Sequence, residues 1–581
     1  MTPDRHSARP LPAFSRMLRL TRPSREDAIA FVILGGLAAI FFRTAEATVA
    51  PLSTLQLEPL TLDPSYLPYY ALRTVLRMFV ALFASTVFTL VVATLAARSR
   101  HLGQLIVPAL DILQSVPILG FLTFTVTFFM GLFPGSVLGV ECASIFAILT
   151  SQAWNMAFSF YQSLRAIPSD LEEATVIYRL SPIRRFLKLD LPFATPALVW
   201  NAMMSMSGGW FFVVASEAIT VGKTTVTLPG IGSWLALAIG RRDFLAVGEA
   251  VAAMALVIVA YDQLFFRPIV AWADRFRFEM TASAERPRSW VFDLLRRTRL
   301  LPVVLAPLGA IGRLLLAFEP RVGRRKAIGP ARSYPLLEKV WQALVIVAAT
   351  AALVLLSRYI MRSLMWGDVL TAVLLAGLTM IRVMVLIALA SLVWVPVGVW
   401  IGLRPVWAER LQPLAQFLAA FPANVLFPFA VMAIVRFDLA PDVWLSPLMI
   451  LGTQWYILFN VIAGASAIPT DLREAAWMFR VRGWQWWRQV ALPGIFPYYV
   501  TGALTASGGS WNASIVAEAV DWGNRHLVAR GLGSFIAEAT TAGDYPRVAL
   551  GIGVMSLFVL GFNRLLWRPL YAYADRRLRL S

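Results

Sequence analysis

Residues 167–196 read IPSDLEEATVIYRLSPIRRFLKLDLPFATP, and residues 468–497 read IPTDLREAAWMFRVRGWQWWRQVALPGIFP. Both stretches begin Ile-Pro-(Ser/Thr)-Asp-Leu, continue with Glu-Ala, and end with Leu-Pro and a further proline at the same spacing. A long apolar segment precedes and follows each of them. Because charged side chains are costly inside lipid, both stretches are expected outside the bilayer, where each contacts a partner. The chain is therefore predicted to make two such contacts.

The composition is that of a polytopic membrane protein. The 581 residues are 58% hydrophobic and 15% charged, whereas soluble domains are about 45–50% apolar and about 25% charged. The formal net charge is +19, but the basic clusters lie beside apolar spans, as cytoplasmic loops do, so nucleic acid is not an expected partner. One cysteine and three scattered histidines predict neither a disulfide framework nor a metal site.

Apolar runs of about 20 residues, the length that crosses a bilayer, recur six times in each half of the chain. The repeat also matches Ser207-Gly-Gly-Trp210 with Ser507-Gly-Gly-Ser-Trp511. We therefore predict an all-α polytopic membrane protein with two homologous six-helix halves, about twelve transmembrane helices, and a pseudo-two-fold axis along the membrane normal. The predicted spans are 27–43, 72–97, 110–132, 143–163, 193–219 and 245–268, then 338–357, 372–402, 413–436, 445–466, 494–520 and 546–568.

The predicted organisation is a first transmembrane domain at 1–266, a basic linker at 267–339 and a second transmembrane domain at 340–581. Arginines collect near both termini, in the linker and in the charged phrases, whereas the loop 44–71 contains acids and no Lys or Arg. This bias predicts that the termini, the linker and the charged phrases are cytoplasmic. An extra crossing at 300–318 would put the two phrases on opposite sides, so that segment is expected at the membrane interface. The first span is expected to be a retained helix rather than a signal peptide.

The charged phrases resemble the cytoplasmic coupling loop (the EAA loop) of the permease subunits of bacterial ABC importers, especially those for nitrate, sulfonates, taurine and bicarbonate. The matching residues are Glu173-Ala-Thr175 with Leu191-Pro192, and Glu474-Ala-Ala476 with Leu492-Pro493. The resemblance covers both halves and not the linker, and implies that each loop forms two short helices that dock in a groove of an ATPase subunit. The docking residues would be Asp170, Glu173, Ala174, Arg179, Asp471, Glu474, Ala475 and Arg480.

The resemblance also implies the partners. Such importers use two permease chains, and here both are fused into one. The chain would bind two ATP-binding subunits on the cytoplasmic side and a periplasmic substrate-binding protein on the other side of a bacterial inner membrane. ATP and Mg would be held by the ATPase subunits, so the chain itself is expected to be no enzyme and to carry no cofactor.

One position departs from the family pattern. The glycine expected six residues after the docking glutamate is Arg179 in the first loop and Arg480 in the second. Non-glycine residues rarely adopt the left-handed backbone conformation. The turn between the docking helices is therefore expected to differ from that of the family.

Four charged residues are predicted within the membrane near the outer surface: Arg77 and Arg382 on the second spans, and Glu217 and Glu518 on the fifth. Pairing Arg77 with Glu217, and Arg382 with Glu518, would reduce the cost of burying them. A structural ion pair is favoured over direct coordination of substrate, although the arginines would be the better ligands for an anion.

The fifth spans also carry Trp210 and Trp511 beside small residues. These aromatic side chains either line a translocation pathway between the halves or pack in a tight helix crossing.

These features predict the permease of an ATP-driven importer of a small solute, with nitrate, sulfonate and bicarbonate as the leading classes. The alternative is a secondary transporter driven by an ion gradient, which also often contains an internal repeat. That alternative needs acids or broken helices at the membrane midplane and has no need of duplicated docking loops.

Overall fold

The computed structural model describes most of both halves of the chain. The described residues are 60–276 (without 115, 222 and 223), 289–298 and 354–577 (without 523 and 524), with isolated residues near 26–36, 306 and 343–351. The predicted spans at 27–43 and 338–357 lie more than half outside the described residues, and the predicted interfacial segment at 300–318 lies outside them apart from residue 306.

The described part of the first half consists of helices and one β-hairpin. Its helices are α1 Leu67–Arg98, α2 Arg100–Leu113, α3 Ile118–Leu132, α4 Val137–Arg165, α5 Ser169–Ile177, α6 Pro182–Arg185, α7 Leu191–Glu217, α8 Ile231–Arg241, α9 Phe244–Tyr261, α10 Arg267–Ala273 and α11 Trp290–Arg297. The antiparallel strands are β1 Ala218–Val221 and β2 Thr224–Thr227.

The second half repeats this order. Its helices are α12 Trp366–Gly402, α13 Pro405–Ala420, α14 Phe427–Arg436, α15 Pro441–Trp444, α16 Leu448–Leu451, α17 Gln454–Ser466, α18 Thr470–Met478, α19 Gly483–Trp486, α20 Leu492–Ala517, α21 Leu532–Ala542, α22 Tyr545–Phe562 and α23 Arg568–Arg577. The antiparallel strands are β3 Ala519–Trp522 and β4 Arg525–Val528.

Six helices of the described residues are long and apolar enough to cross a membrane, or up to eight if each of two bent pairs counts as one span. The prediction of an all-α polytopic membrane protein is confirmed. The total of about twelve stays a prediction, because two of the predicted spans lie largely outside the described residues.

The third span of each half differs from the prediction of one continuous helix. In the first half the chain leaves the helical conformation between α2 and α3, at Pro117. In the second half α13 ends before Pro422, and the helical segment that follows is bent by 80°. Proline has no N–H to donate and disfavours helical geometry in the residue before it. Both prolines therefore break a helix that the apolar run alone would continue.

The described residues fall into two compact units. One contains those within Glu46–Arg165, Trp200–Val259 and Lys339–Ser581, and it includes the helices of both halves that surround the cavity described below. The other contains those within Ala166–Val199 and Ala260–Glu338, including the first charged phrase.

Candidate translocation cavity and docking loops

A cavity of about 530 Å³ lies where the two halves meet. Its wall comes largely from the middle of α4 and α7 in the first half and from α17 and α20 in the second. Several hydrogen bonds join the halves. The Ile118 N–H donates to Asn512 Oδ1 at 2.8 Å, and Asn424 Nδ2 donates to the Phe211 carbonyl at 3.2 Å. The repeat thus encloses a space between its copies.

The wall of the cavity combines apolar side chains with uncharged polar groups. Among the described residues that line it, none is Asp, Glu, Lys, Arg or His. Its polarity comes from hydroxyl groups and from side-chain amides, including Asn155, Asn201, Asn460 and Asn512. Such dipoles can replace the hydration of a small solute without holding it as tightly as a fixed charge would. A wall with polar groups and no fixed charge is compatible with the passage of a small solute.

Hydrogen bonds between α4 and α7 orient part of this wall. Asn155 Nδ2 donates to Ser205 Oγ at 3.0 Å, and Asn201 Nδ2 donates to Ser159 Oγ at 2.6 Å. Because each hydroxyl oxygen accepts a bond from an amide, its proton points elsewhere. Ser205 lines the cavity, so its hydroxyl is placed to donate to a solute there.

Trp210 and Trp511 lie in the protein core. Each is 1% exposed, and neither is among the described residues that line the cavity. Their neighbours Phe212 and Asn512 reach the cavity instead. A direct contact between the two tryptophans and a transported solute stays a prediction.

The predicted ion pair of the first half is present. Arg77 Nη1 lies 2.7 Å from Glu217 Oε1, and both side chains are at most 2% exposed. Arg77 also binds Glu141 through Nε at 2.6 Å and Nη2 at 2.8 Å, and Arg73 reaches Glu141 at 2.5 Å. We call Arg73, Arg77, Glu141 and Glu217 the first-half network. Two cations balance two anions within it, which offsets the cost of their burial.

The carboxylate of Glu217 also ties three helices together. It accepts hydrogen bonds from Thr74 Oγ1 on α1 at 2.7 Å and from the Gly232 N–H at the start of α8, also at 2.7 Å. A Cβ atom at Gly230 would lie 2.3 Å from this carboxylate, so only glycine fits beside it. Glu217, at the end of α7, thereby fixes both α1 and α8.

The second half repeats this arrangement. Arg382 Nη1 lies 3.2 Å from Glu518 Oε1, so the second predicted pair is also confirmed. Glu518 accepts bonds from Thr379 Oγ1 at 2.9 Å and from the Gly533 N–H at 2.7 Å. A Cβ atom at Gly531 would lie 2.1 Å from its carboxylate.

The two networks differ in their access to solvent. Arg382, Glu518 and Asp442 form the second-half network, in which Asp442 takes the place of Glu141 and binds Arg382 at 3.3 Å. Asp442 is 48% exposed and Arg382 is 11% exposed. Leu378 stands where the first half has Arg73. The first-half network is therefore sealed, whereas the second opens to solvent on one side.

The sequence interpretation missed Glu141 and Asp442. They stand 301 residues apart, the same separation as Trp210 and Trp511 in the matched fifth spans, so extending that alignment to the residues just before the fourth spans would have found them. None of the network residues is among the described residues that line the cavity. Coordination of a solute by Arg77 or Arg382 therefore stays a prediction.

Each charged phrase folds into two short helices, α5 with α6 and α18 with α19. The predicted docking residues take matching positions in the two loops. Asp170, Glu173 and Arg179 are exposed and Ala174 is half-buried. The corresponding residues Asp471, Glu474 and Arg480 are likewise exposed, with Ala475 half-buried.

The end of the first helix in each loop exposes three large apolar side chains. In the first loop they are Val176, Ile177 and Tyr178, at 67–78% exposure. In the second loop they are Trp477, Met478 and Phe479, at 74–83% exposure. We call these the docking patches. Contiguous exposed apolar surface of this kind is typical of sites that bind another protein.

The expectation for the turn between the docking helices was wrong. Arg179 and Arg480 both adopt the left-handed conformation, with φ of 49° and 53°. In the first loop the Leu180 N–H donates to the Thr175 carbonyl and the Arg179 N–H to the Val176 carbonyl, each at 3.0 Å. This pair of bonds closes a helix end and satisfies carbonyl groups that would otherwise lack partners. They offset a left-handed penalty of about 1–2 kcal/mol.

The second docking helix continues directly into the fifth span. Pro182–Glu217 is one helical segment of 36 residues, with a π-helical turn at Phe186–Asp190. In the second half α19 leads through a π-helical turn at Trp487–Ala491 into α20. The prolines Pro192 and Pro493 follow these turns, where their missing N–H is compatible with the interrupted bonding. In the second half the docking helix and the cavity wall thus belong to one continuous helical segment.

The model of the family "Binding-protein-dependent transport system inner membrane component" matches residues 70–267 and again residues 394–580. The chain belongs to this family. The family domain therefore occurs twice in one chain, and the protein is a multi-pass inner-membrane transport permease.

Curated relatives carry related names. The nitrate import permease protein NrtB of Leptolyngbya laminosa is 28% identical over 184 residues, which are 32% of this chain and 62% of that protein. The bicarbonate transport system permease protein CmpB of Synechococcus elongatus is 32% identical over 152 residues, 26% of this chain and 51% of that protein. The glycine betaine transport system permease protein OpuAB of Bacillus subtilis is 27% identical over 202 residues, 34% of this chain and 66% of that protein.

The chain thus spans about half to two thirds of the length of these relatives. No solved structure matches the chain. Among the described residues, no group of His, Cys, Asp and Glu side chains is arranged to hold a metal ion.

Proposed function

We propose that this protein is the complete permease of an ATP-driven importer that moves a small anion, of the nitrate, sulfonate or bicarbonate class, across the inner membrane. The duplicated docking loops carry this proposal, because each presents an acidic first helix and an apolar docking patch. The names of the nitrate and bicarbonate permeases among the relatives support the substrate class.

In this proposal each docking patch binds one ATP-binding subunit on the cytoplasmic side, where both termini also lie. A periplasmic binding protein delivers the solute to the opposite face. Closure of the ATPase pair pushes on α6 and α19. α19 and α20 are continuous through the π-helical turn. The push on α19 is therefore transmitted to the cavity wall, which lies about 30–35 Å farther along the same helix. ATP and Mg act on the partner subunits.

The uncharged cavity argues against the alternative of an ion-gradient-driven transporter. Coupling to protons needs ionisable groups in the pathway. Broken helices occur beside the cavity at Pro117 and Pro422 and do not distinguish the two classes of transporter. The described lining residues include no ionisable acid or base apart from Tyr456. The buried acids Glu217 and Glu518 are instead saturated by arginine, hydroxyl and backbone N–H groups.

The experiment reverses the charge of the docking glutamates. Glu173→Lys and Glu474→Lys, made together, should abolish the stimulation of ATP hydrolysis by substrate-loaded binding protein in the reconstituted complex. Both side chains are exposed, so the chain should remain folded and membrane-inserted. Arg564→Glu, a charge reversal outside both loops, is the control. Undiminished stimulation in the double variant would contradict the docking assignment.

A further inference from the structure

A second, smaller pocket adjoins the cavity. It measures about 90 Å³ and is lined mainly by apolar side chains, including Phe211, Leu448 and Met449. Phe211 lies near the end of α7 that carries Glu217, and Leu448 and Met449 lie on α16, which follows Asp442. The large cavity extends the other way, toward the start of α20, which follows the second docking loop. The two spaces therefore follow one another along the membrane-crossing direction.

Four residues line both spaces: Gly208, Phe212, Tyr456 and Gly509. We call them the neck. Gly208 and Gly509 stand 301 residues apart, so they are equivalent positions of α7 and α20. A Cβ atom on Gly208 would lie 3.5 Å from the Tyr456 hydroxyl oxygen. The backbone of the first half thus faces a side chain of the second half across the neck.

The Tyr456 hydroxyl is the one polar side-chain group of the neck. Tyr456 is 9% exposed, and its hydroxyl has no hydrogen-bond partner among the described residues. A hydroxyl that faces a cavity and has no partner in the protein is available to bind a ligand or water there. The equivalent position of the first half is Asn155, whose amide is already bonded to Ser205. Within the neck, the polar side-chain group therefore comes from the second half.

We propose that Tyr456 is a specificity-determining residue for the transported solute, and that its hydroxyl donates a hydrogen bond to an oxygen of a small oxyanion passing the neck. This inference rests on the proposed function. The phenol O–H is a donor, and the cavity beyond it offers amide and hydroxyl groups but no carboxylate among its described lining. A lining without carboxylates gives a cation no counter-charge, whereas amide N–H and hydroxyl groups can donate to the oxygens of an anion.

The test uses the purified full chain and needs no partner subunit. Because the sequence contains a single cysteine, Cys142, a Cys142→Ser background allows one new thiol to be placed at the neck by Gly208→Cys. The modification rate with a small neutral methanethiosulfonate reagent is measured in sodium nitrate, in sodium bicarbonate and in sodium chloride of equal ionic strength. Glycine betaine serves as the cationic-headgroup probe.

Nitrate or bicarbonate should slow modification of the neck thiol, and adding Tyr456→Phe should reduce that protection by roughly threefold or more, the effect of one lost hydrogen bond. Tyr498→Phe, outside the cavity lining, is the matched control and should leave protection unchanged. Gly240→Cys, exposed with nothing within 4 Å, should show no protection. Equal protection with and without the Tyr456 hydroxyl would overturn the proposal, as would protection by glycine betaine alone.

A transport measurement separates this proposal from the proposed function. In proteoliposomes with the ATPase subunits and binding protein, Tyr456→Phe should change the ratio of nitrate to bicarbonate uptake while ATP hydrolysis stays coupled. Absence of ATP-driven uptake by the unmodified chain would contradict the proposed function, yet would leave the thiol-protection result standing. An unchanged ratio together with unchanged protection would overturn the role of Tyr456.

Discussion

The first-half network is closed to solvent and the second-half network is open on one side. The same Glu→Gln substitution should therefore cost more free energy of unfolding in the first half than in the second. Glu217→Gln removes one anion from the first-half network and leaves Arg73 and Arg77 to share Glu141 in a site at most 2% exposed. Breaking a buried pair by removing one partner costs about 3–5 kcal/mol. Glu518→Gln leaves Arg382, which is 11% exposed, beside Asp442, which is 48% exposed. Solvent screens that charge, so the loss should be about 1–3 kcal/mol, mostly from hydrogen bonds.

The free energy of unfolding of each purified variant is measured by denaturation in mixed detergent micelles, followed by tryptophan fluorescence. Glu217→Gln should destabilise the chain by at least about 1 kcal/mol more than Glu518→Gln. A cycle with Arg77→Gln should also show a coupling energy on the order of 1 kcal/mol or more. If Glu518→Gln proved as costly as Glu217→Gln, the argument from solvent access would be refuted.

Five further substitutions test other parts of the account. Gly230→Ala and Gly531→Ala each place a methyl group within 2.1–2.4 Å of a buried carboxylate, and thermal unfolding should show a loss of about 1–3 kcal/mol for each; wild-type stability would contradict the packing. Arg179→Gly and Arg480→Gly relieve a left-handed penalty and should stabilise the loops by up to about 1 kcal/mol, seen as slower local hydrogen exchange; faster exchange would count against the turn geometry. Asn512→Ala leaves the Ile118 N–H without its acceptor and should cost about 1–3 kcal/mol, so a neutral result would remove this contact between the halves.

The repeat and the spacing of charges were sufficient to predict much of the architecture. The apolar runs located the fifth spans. Because the four charged residues were all placed in the membrane near its outer surface, Arg77 was paired with Glu217 and Arg382 with Glu518, as the structure shows. These predictions succeeded because lipid leaves few alternatives for a buried charge.

The predictions failed where local backbone geometry outweighed composition. The prolines at 117 and 422 interrupt apolar runs that otherwise satisfy the length of a span. Arg179 and Arg480 accept left-handed strain because two backbone hydrogen bonds depend on it. Each outcome depends on a balance of hydrogen bonds and steric cost that composition does not register.

The cavity was beyond prediction from one sequence. Its wall combines residues of both halves that are hundreds of positions apart, such as Asn155 and Tyr456. Neither residue type in an apolar span signals a pathway by itself, since asparagine and tyrosine also serve helix packing. Tyr456 becomes a candidate specificity residue only through its position in the neck and its unpaired hydroxyl, and both need the three-dimensional structure.

The central claim is that one chain supplies both docking loops of an importer. Native mass spectrometry of the complex, purified through this chain with its ATPase subunits, tests the claim most directly. The account predicts one copy of the 64.3 kDa chain with two ATPase subunits. Two copies of the chain per ATPase pair, or a chain that purifies with no ATPase subunit, would contradict it.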